Sequence, residues 1–389
     1  MAPHTLKWGI MATGGIATTF TKDLLNDPAS RHVTDVAHVV VAAASSSSKS
    51  RATDFLTQLA VPGHPKAYGS YAELVADPDV EIIYVATPHS HHFQNAMLAL
   101  EAGKHVLCEK SLTVNASQAR KLVDKAKEKK RFFMEAVWTR FFPLSIKIRE
   151  MIASGEIGHV YRVMADNSFA SANPDGSLTF PDDNRMVNLN LAGGALLDLG
   201  IYSLTWVFQT LYHLQSDKEA PVTVAGINKY DRTGADDNTT VVVSFPKHKT
   251  MGVATTSLRV ASDIDGKNTA GPAIRIQGTE GEIQVMGPAY RPQQYRVVKK
   301  ANPGKLEIID CTIPQDEARA WGHGMFWEAD ECARCLRDGK VESETLPWNE
   351  SIVIMECMEE ALKQGDVKYP ELITTDVFDP KSPLNTGKA

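Results

Sequence analysis

The chain has 389 residues, of which 43% are hydrophobic and 23% are charged, and this composition excludes disordered, collagen-like and coiled-coil proteins. At about 150 residues per domain, the length predicts two or three domains. Lys and Arg number 41 against 47 Asp and Glu, a formal net charge of −6, so the charge indicates no binding of nucleic acid or of an anionic membrane.

The apolar runs, such as residues 39–44 and 82–86, are far shorter than the roughly 20 residues that a membrane-spanning helix needs. The first residues lack the apolar region of a secretion signal. Five cysteines in so long a chain fit reduced thiols better than a disulfide framework. We therefore expect a cytoplasmic protein that binds a small molecule.

Residues 1–143 alternate short apolar runs with amphipathic stretches, the pattern of a doubly wound parallel sheet. Asn115 is placed to cap a helix that runs to Lys130. We expect this range to form a dinucleotide-binding Rossmann domain, with strands at residues 6–11, 39–44, 82–86, 105–107 and 132–134.

The pattern changes after Pro143. A helix around residues 148–152 leads into long alternating strands with hairpin turns, for example on both sides of residues 278–281. Helices return near residues 325–338 and 351–364. The sequence therefore predicts an α/β protein whose second domain, residues 144–389, is an α+β domain with a large, open, mainly antiparallel sheet.

A glycine-containing turn follows the first strand, where residues 12–17 read A-T-G-G-I-A. This is a G-x-G-x-x-A dinucleotide fingerprint in which alanine replaces the first glycine, and such a turn lets backbone and helix N–H groups bind a pyrophosphate. A tight turn that binds nothing is an equal alternative on this motif alone. The expected cofactor contacts are Ala12, Thr13, Gly14, Gly15 and Ile16.

The end of the second strand indicates which dinucleotide binds. An NAD site usually has an acidic residue there for the ribose 2′-hydroxyl, and this sequence has none. It has hydroxyl and cationic groups suited to a 2′-phosphate, although a capped, solvated helix start would look similar. We expect NADP, held by Ser45, Ser46, Ser47, Lys49 and Arg51.

Two further strands bring polar side chains to the same edge of the predicted sheet. One ends in T-P-H-S-H-H and the next in C-E-K. The histidines lack partners at metal-ligand spacing, so we predict no metal site. Lys110 leaves a buried strand at the ligand edge and is a candidate for catalysis. The remaining expected cofactor contacts are Thr87, Pro88, His89, His92, Glu109 and Lys110.

In the second domain, Asp198 and Tyr202 lie four residues apart after a Gly-Gly pair, so a helix would present both on one face. A tyrosine with the usual pKa near 10 is a poor base, but a lysine ammonium about 4 Å away favours the phenolate by about 4 kcal/mol at an effective dielectric of 20. Lys110 and Tyr202 would then form an acid/base pair.

Four of these segments together resemble the glucose-fructose oxidoreductase/inositol dehydrogenase (Gfo/Idh/MocA) family. They are W-G-I-M-A-T-G-G-I-A at residues 8–17, Y-V-A-T-P-H at 84–89, A-G-K-H-V-L-C-E-K at 102–110 and G-G-A-L-L-D-L-G-I-Y at 193–202. Residues 134–143 and 324–331 resemble its dimeric dihydrodiol dehydrogenase branch, which includes fungal NADP-dependent D-xylose 1-dehydrogenases. Ser111 departs from the family pattern, which has proline after the lysine.

The resemblance implies roles for particular residues. Carried over by position, Lys110 and Tyr202 are the catalytic lysine and tyrosine, and Asp198 is the neighbouring aspartate. Trp138 and Arg140 lie in the branch motif and, with Asp198 and Tyr202, are expected to contact the substrate. The resemblance also implies a homodimer that forms through the open face of the C-terminal sheet.

The resemblance implies NADP-dependent oxidation of an aldopyranose at C1, with D-xylose converted to its lactone. Oxidation of a trans-dihydrodiol or reduction of a dicarbonyl would use the same machinery. A third hypothesis is a regulator that senses NADP without catalysis. Such a regulator is expected to lose the lysine or the tyrosine, and this sequence keeps both.

Overall fold

Six parallel strands form the sheet of the amino-terminal part of the chain. The computed structural model describes residues 2–304 and 306–387, and its strands here are His4–Met11 (β1), Val36–Ala44 (β2), Lys66–Tyr68 (β3), Ile82–Val85 (β4), His105–Glu109 (β5) and Phe133–Ala136 (β6). Their order in the sheet is β3-β2-β1-β4-β5-β6. This is the doubly wound order, in which ligands bind outside the carboxyl ends of the strands, where the order reverses. The predicted Rossmann fold is confirmed.

Helices connect these strands: Gly15–Leu24 (α1), Lys49–Gln58 (α2), Tyr71–Ala76 (α3), His92–Glu101 (α4) and Ala116–Lys129 (α5). Asn115 caps α5 as predicted, since its side chain accepts a hydrogen bond from the backbone N–H of Gln118 (3.0 Å). The core includes a ring cluster in which Trp8 packs edge-on against Phe20 (5.2 Å) and Phe20 stacks on Tyr84 (3.8 Å).

The second sheet has eight strands. They are Val160–Asp166 (β7), Val222–Lys229 (β8), Asp236–Phe245 (β9), Thr250–Ser257 (β10), Ile274–Gly278 (β11), Gly281–Val285 (β12), Gln294–Lys299 (β13) and Ile308–Asp310 (β14). The order is β14-β13-β12-β11-β7-β10-β9-β8, and among these neighbours only β7 and β10 pair in parallel. The mainly antiparallel sheet that the sequence predicts is therefore confirmed.

Two helices accompany this sheet, Pro143–Ala153 (α6) and Ile201–Val207 (α7), and π-helical turns flank α7 at Leu196–Gly200 and Phe208–Tyr212. Within the described residues, the stretch Leu189–Tyr212 is the one helix long and apolar enough to cross a membrane, and 94% of its most apolar window is buried. A stretch so completely buried is a core helix of the fold.

Four helices follow the second sheet: Phe326–Arg337 (α8), Trp348–Gln364 (α9), Glu371–Thr374 (α10) and Pro383–Thr386 (α11). The chain divides into a first unit, Met1–Trp138, Ile313–Ser351 and Glu371–Ala389, and a second unit, Thr139–Thr312 and Ile352–Pro370. The sequence analysis instead placed all of residues 144–389 in the second domain. The difference is that two later segments return to the first unit.

Buried ionic contacts explain how α8 joins the first unit. The guanidinium of Arg31 donates two hydrogen bonds to Asp330 on α8 (2.7 and 2.8 Å). His38 on β2 lies 2.9 Å from the same carboxylate. Burial opposes ionisation, but hydrogen bonds from Arg31 and His38 prevail and keep the pKa of Asp330 below its usual value. These partners are about 300 positions apart in the sequence, so no local pattern predicts the contact.

Candidate functional site

The turn between β1 and α1 forms one wall of a cleft in the first unit. The N–H of Ala12 donates to the carbonyl of Ala44 at the end of β2 (3.0 Å), so the turn is held against the neighbouring strand. Ala12 has a φ of +84°, a left-handed conformation that glycine adopts without strain. The structure therefore explains why the fingerprint usually has glycine at this position.

The start of α1 is open for an anion. Gly14 precedes α1 in an extended conformation and carries no side chain that could cap the helix. A Cβ added at Gly14 or Gly15 would meet no atom of the described residues within 4 Å. The first N–H groups of α1 are thus placed to bind a phosphate, as in other dinucleotide sites.

The cleft has a volume of about 490 Å³. It is lined by the β1–α1 turn, the end of β2, one face of α2 and the start of α3, through Ala12, Thr13, Gly14, Thr18, Ser45, Ser46, Arg51, Asp54, Phe55, Gln58 and Tyr71. The structure therefore brings together six of the predicted cofactor contacts: Ala12, Thr13, Gly14, Ser45, Ser46 and Arg51. The other predicted contacts in this region, Gly15, Ile16, Ser47 and Lys49, are exposed and are not part of this lining.

The sequence analysis missed the contribution of the rest of α2. Asp54, Phe55 and Gln58 follow Arg51 by three, four and seven residues, which places all four on one helix face. This spacing is a signal that could have revealed them. Tyr71 was missed because the short β3 and α3 were not predicted.

The charges around the end of β2 favour the binding of an anionic group. The strand ends at Ala44 and is followed by Ser45, so no carboxylate stands where an NAD site would have one. Ser48 caps α2 by accepting a hydrogen bond from the N–H of Arg51 (3.4 Å). The N-terminal end of α2 and the exposed Arg51 guanidinium add positive potential, and Asp54 is the one carboxylate among the lining residues.

Histidine side chains connect the loops that follow β4 and β5 through contacts with backbone carbonyl oxygens. The two ring nitrogens of His92 lie 2.9 Å from the carbonyl oxygens of Thr87 and Ser111. Burial lowers the pKa of His92 to about 4, so the ring is neutral at pH 7 and donates one hydrogen bond. His89 Nε2 lies 3.1 Å from the carbonyl oxygen of Lys110. His92 is 1% exposed and positions these loops, and its predicted contact with the cofactor stays a prediction.

The strand-end residues themselves present polar atoms at the ligand edge. Thr87 is buried and its Oγ1 has no hydrogen-bond partner among the described residues, while Pro88 follows it as the residue before a short helical turn. Glu109 is buried, accepts a hydrogen bond from the hydroxyl of Tyr84 and accepts another from the N–H of Lys110 (3.2 Å). Lys110 is half-buried.

Trp138 follows β6 and belongs to a stack of aromatic rings in the first unit. Its ring stacks on His323 at 4.8 Å, and His323 stacks on Trp321 at 5.9 Å. The carboxylate of Asp23 accepts hydrogen bonds from the N–H of His323 (2.9 Å) and from Trp321 Nε1 (2.7 Å). This stack was not predicted from the sequence, because Asp23 is an ordinary polar position of α1.

The second unit holds Asp198 and Tyr202. Asp198 lies in the π-helical turn that precedes α7, where the sequence analysis expected an α-helix, and Tyr202 lies in the first turn of α7. Asp198 accepts a hydrogen bond from Arg185 (3.1 Å). Tyr202 is buried, with its ring 5.8 Å from that of Tyr290. Single π-helical turns are common at functional sites.

Arg140 was predicted to contact the substrate, and this role stays a prediction. Its side chain is fully buried in the structure. One guanidinium nitrogen lies 3.1 Å from His213 Nδ1, and its carbonyl oxygen accepts a hydrogen bond from Arg149 (3.1 Å). The structure therefore assigns Arg140 to the core of the second unit. The family motif alone does not distinguish a buried arginine from one that contacts a ligand.

A buried carboxylate holds the turn that opens the helix of Asp198. Asp236 accepts hydrogen bonds from the N–H of Leu196 (2.7 Å) and the hydroxyl of Thr239 (3.0 Å). A Cβ added at Gly194, whose φ is +143°, would lie 2.0 Å from Asp236 Oδ1. Only glycine therefore fits at position 194. Burial raises the pKa of Asp236 to about 6.

The candidate site residues thus form one group in each unit. The first unit contains the cleft, the strand-end loops with Lys110, and Trp138; the second contains Asp198 and Tyr202. The catalytic pairing of Lys110 with Tyr202 stays a prediction. Over residues 2–304 and 306–387, no group of three or more His, Cys, Asp or Glu side chains could hold a metal ion.

Comparison with known families gives two matches. The model described as an oxidoreductase family with an NAD-binding Rossmann fold (GFO_IDH_MocA) matches residues 6–137. The model of the GFO/IDH/MocA C-terminal domain matches residues 145–284. Together they cover both sheets from β1 to most of β12.

Two curated relatives align over nearly the full chain. D-xylose 1-dehydrogenase (NADP(+)) from Hypocrea jecorina is 66% identical over 389 residues, covering 99% of this chain and 98% of that protein. Trans-1,2-dihydrobenzene-1,2-diol dehydrogenase from Homo sapiens is 35% identical over 366 residues, covering 94% of this chain and 98% of that protein.

A solved structure shares the fold. The crystal structure of aldose-aldose oxidoreductase from Caulobacter crescentus, complexed with glycerol, has a TM-score of 0.73 and 21% sequence identity, and the match covers 93% of this chain and 98% of that one. At this identity the likeness concerns the fold alone.

Proposed function

Because the chain belongs to the Gfo/Idh/MocA oxidoreductase family, we propose that it is an NADP-dependent dehydrogenase that oxidises an aldopyranose at C1, with D-xylose as its substrate. The observation that carries the proposal is the 66% identity, over 99% of the chain, to an NADP-dependent D-xylose 1-dehydrogenase. The product is the sugar lactone, and the oxidation removes one hydride and one proton from the sugar.

The first unit has the groups that NADP requires. The start of α1, where Gly14 and Gly15 leave open space, suits the pyrophosphate. Ser46 and Arg51 line the cleft at the end of β2 and suit the 2′-phosphate, because arginine and hydroxyl groups both donate to phosphate oxygens. Thr87 Oγ1, which lacks a partner among the described residues, supplies a donor at the end of β4.

NADP⁺ bound in this cleft would supply the acceptor for the hydride that leaves C1. Tyr202 removes the proton of the anomeric hydroxyl, and Lys110 holds Tyr202 and favours its phenolate form. Asp198, which Arg185 orients through a hydrogen bond (3.1 Å), positions the sugar hydroxyls. Trp138, fixed by its stack on His323, offers an apolar surface to the sugar ring.

Replacing the proposed base tests this chemistry. Tyr202→Phe removes one hydroxyl from a buried position, so we expect kcat to fall by about 10²-fold or more while the Kd for NADPH stays within about twofold. Tyr295→Phe is the matched control, since Tyr295 is a buried tyrosine of β13 outside the proposed site, and it should retain kcat. Near-normal turnover by Tyr202→Phe would contradict the assignment.

Oxidation of a trans-dihydrodiol is the second candidate function. It is favoured by the 35% identity, over 94% of the chain, to a trans-1,2-dihydrobenzene-1,2-diol dehydrogenase. A panel of pentoses, hexoses, dihydrodiols and, in the reverse direction, dicarbonyls separates the two activities. Tight binding of NADPH with no turnover on any of these compounds would instead favour a non-catalytic sensor.

We also propose that two copies associate through the open face of the second sheet. One row of apolar side chains crosses four strands of this sheet: Met164 on β7, Val253 on β10, Val242 on β9 and Val224 on β8. Val224 and Met164 are 59% and 39% exposed, whereas Val163 and Val241, which alternate with them, are buried. A row of partly or fully exposed apolar side chains on one face of a sheet is suited to protein association.

A further inference from the structure

A segment near the end of the chain packs against the amino-terminal part of the first unit. We call residues 376–387 the strap. Gln94 of α4 holds its first half: the side chain donates to the carbonyl of Val377 (2.8 Å) and accepts from the N–H of Asp379 (3.0 Å). Gln94 is 2% exposed, so this contact is shielded from water.

A second amide of α4 holds the other half of the strap. Asn95 is fully buried and donates to the carbonyl of Leu384 (3.1 Å) and to the side-chain oxygen of Asn385 (2.9 Å). Asn385 in turn donates to the carbonyl of Asp379 (3.0 Å). Gln94 and Asn95 together make four hydrogen bonds to the strap, so the strap has a defined path along α4.

The strap ends against a wall of the cofactor cleft. Helix α11 is capped by Ser382 and is followed by Gly387, whose φ is +67°. A Cβ added at Gly387 would lie 2.5 Å from the hydroxyl oxygen of Ser46 and 2.7 Å from its Cβ. Position 387 therefore has no room for a side chain, and Gly387 packs directly on Ser46.

Ser46 is the residue through which this contact can act. It lines the cleft and is half-buried, and Tyr71 lines the same cleft. Burial raises the pKa of Tyr71 to about 12, so its hydroxyl stays protonated at neutral pH. A serine side chain can take three rotamers, and the close approach of Gly387 restricts that choice.

We propose that the strap determines cofactor specificity: by packing Gly387 on Ser46, it fixes the Ser46 hydroxyl in the orientation that binds the 2′-phosphate of NADP. Gly387 and Asn385 are thus positioning residues, which act through Ser46. Fixing a donor before the ligand arrives increases affinity because less conformational freedom is lost on binding. The inference rests on the proposed function, since it assumes an NADP site in this cleft.

The test compares NADPH and NADH binding in strap variants of the full chain. Gly387→Val introduces a side chain where none fits, and Asn385→Ala removes the hydrogen bond from Asn95. We expect either change to raise the Kd for NADPH about fivefold or more, to leave the Kd for NADH within about twofold, and to leave kcat at saturating NADP⁺ unchanged. Lys381→Ala, an exposed strap residue, is the matched control and should bind both cofactors normally.

Other outcomes overturn the inference. Equal weakening of NADPH and NADH would indicate a general structural effect, and an unchanged ratio in both variants would show that the strap has no part in specificity. Tighter NADPH binding would mean that the strap obstructs the site. If the unaltered protein fails to bind NADPH, the proposed function itself is wrong, and the inference about the strap fails with it.

Discussion

Arg51 is the side chain whose charge bears most directly on cofactor choice. It lines the cleft together with Ser45 and Ser46, and β2 ends at Ala44 without a following acid. Its position in the first turn of α2 places the guanidinium beside the positive end of the helix dipole. A 2′-phosphate would interact with both, whereas the 2′-hydroxyl of NAD would gain little from either.

Arg51→Ala is expected to raise the KM for NADP⁺ about tenfold and to change the KM for NAD⁺ by less than about twofold. Hydrogen bonds to charged groups contribute about 1.5–3 kcal/mol, and solvent exposure of Arg51 places the effect at the low end. Initial rates over a concentration series of each cofactor measure it. Lys49→Ala is the comparison, since Lys49 is not part of the lining and should have a smaller effect. Equal losses with both cofactors would contradict this role for Arg51.

Residue types and positions at strand ends could be predicted from the sequence, but burial could not. Ser46, Arg51 and Thr87 were placed correctly at the ligand edge because parallel strands end on one side of a sheet. Arg140 and His92 also come from motifs near that edge, yet the structure buries both. Their roles depend on packing partners such as His213 and Ser111, which lie 73 and 19 positions further along the chain.

At the scale of secondary structure elements, the opening of the helix that carries Asp198 and Tyr202 depends on one buried acid. Asp236 binds the N–H of Leu196 (2.7 Å), and Gly194 leaves the space that its carboxylate occupies. Tyr369 also holds this turn, through a hydrogen bond to the carbonyl of Gly193 (3.2 Å). The helix begins here with a π-helical turn instead of an α-helical one.

The raised pKa of Asp236, about 6 instead of the usual 3.8, predicts a pH dependence of stability. The folded state binds a proton at a higher pH than the unfolded state does, so this group favours folding most below about pH 4. Its favourable contribution is lost as the pH rises through about 6. Between pH 5.0 and 7.5 the loss is about 1 kcal/mol, at 1.36 kcal/mol per pH unit.

Asp236→Asn removes this ionisation. We expect the stability of the variant relative to the unaltered protein, measured as the free energy of unfolding, to be greater at pH 7.5 than at pH 5.0 by about 1 kcal/mol. Urea unfolding at both pH values measures it. Asp183→Asn, at an exposed aspartate, is the control and should leave the pH trend unaltered. The same difference at both pH values would show that Asp236 does not titrate in this range.

Elements with clear periodicity were predicted well, and short or edge elements were not. The hairpin of β11 and β12 follows from alternating apolar residues around a Gly-containing turn. The three-residue strands β3 and β14 are too short to show a period of two. Their pairing is set by the neighbouring strand of the sheet, which local sequence does not reveal.

At the scale of the whole molecule, we propose that two copies associate through the second sheet. Alternate residues of β7 and β9, such as Val163 and Val241, are buried, so one face of the second sheet is covered within the chain. Val224 and Met251 on the other face are 59% and 43% exposed. A second copy would remove these side chains from water at about 25 cal/mol per Å² of apolar surface.

A charge on this face should separate the copies. Val224→Lys combined with Met251→Lys places two like charges on each partner surface, so we expect the mass measured by light scattering to fall from that of a dimer to that of a monomer. Ile264→Lys is the matched control, because Ile264 is 79% exposed in a loop. A dimer mass retained by the double variant would place the interface elsewhere, and a monomeric unaltered protein would exclude it.

Domain organisation shows the limit of prediction from sequence. Two sheets of the predicted types were expected and found, because periodicity changes after Pro143 from alternating strands and helices to hairpins. The return of Ile313–Ser351 and Glu371–Ala389 to the first unit was not expected. It depends on contacts of Asp23 and Arg31 with residues about 300 positions later. No change in composition marks the two points at which the chain returns to the first unit.

The central claim is tested most directly by the initial rate of absorbance change at the nicotinamide band with D-xylose and either NADP⁺ or NAD⁺, each over a concentration series. The account predicts rapid reduction of NADP⁺, little reduction of NAD⁺, and equimolar formation of the lactone. Absence of reduction with D-xylose and either cofactor, while a dihydrodiol is oxidised under the same conditions, would contradict it.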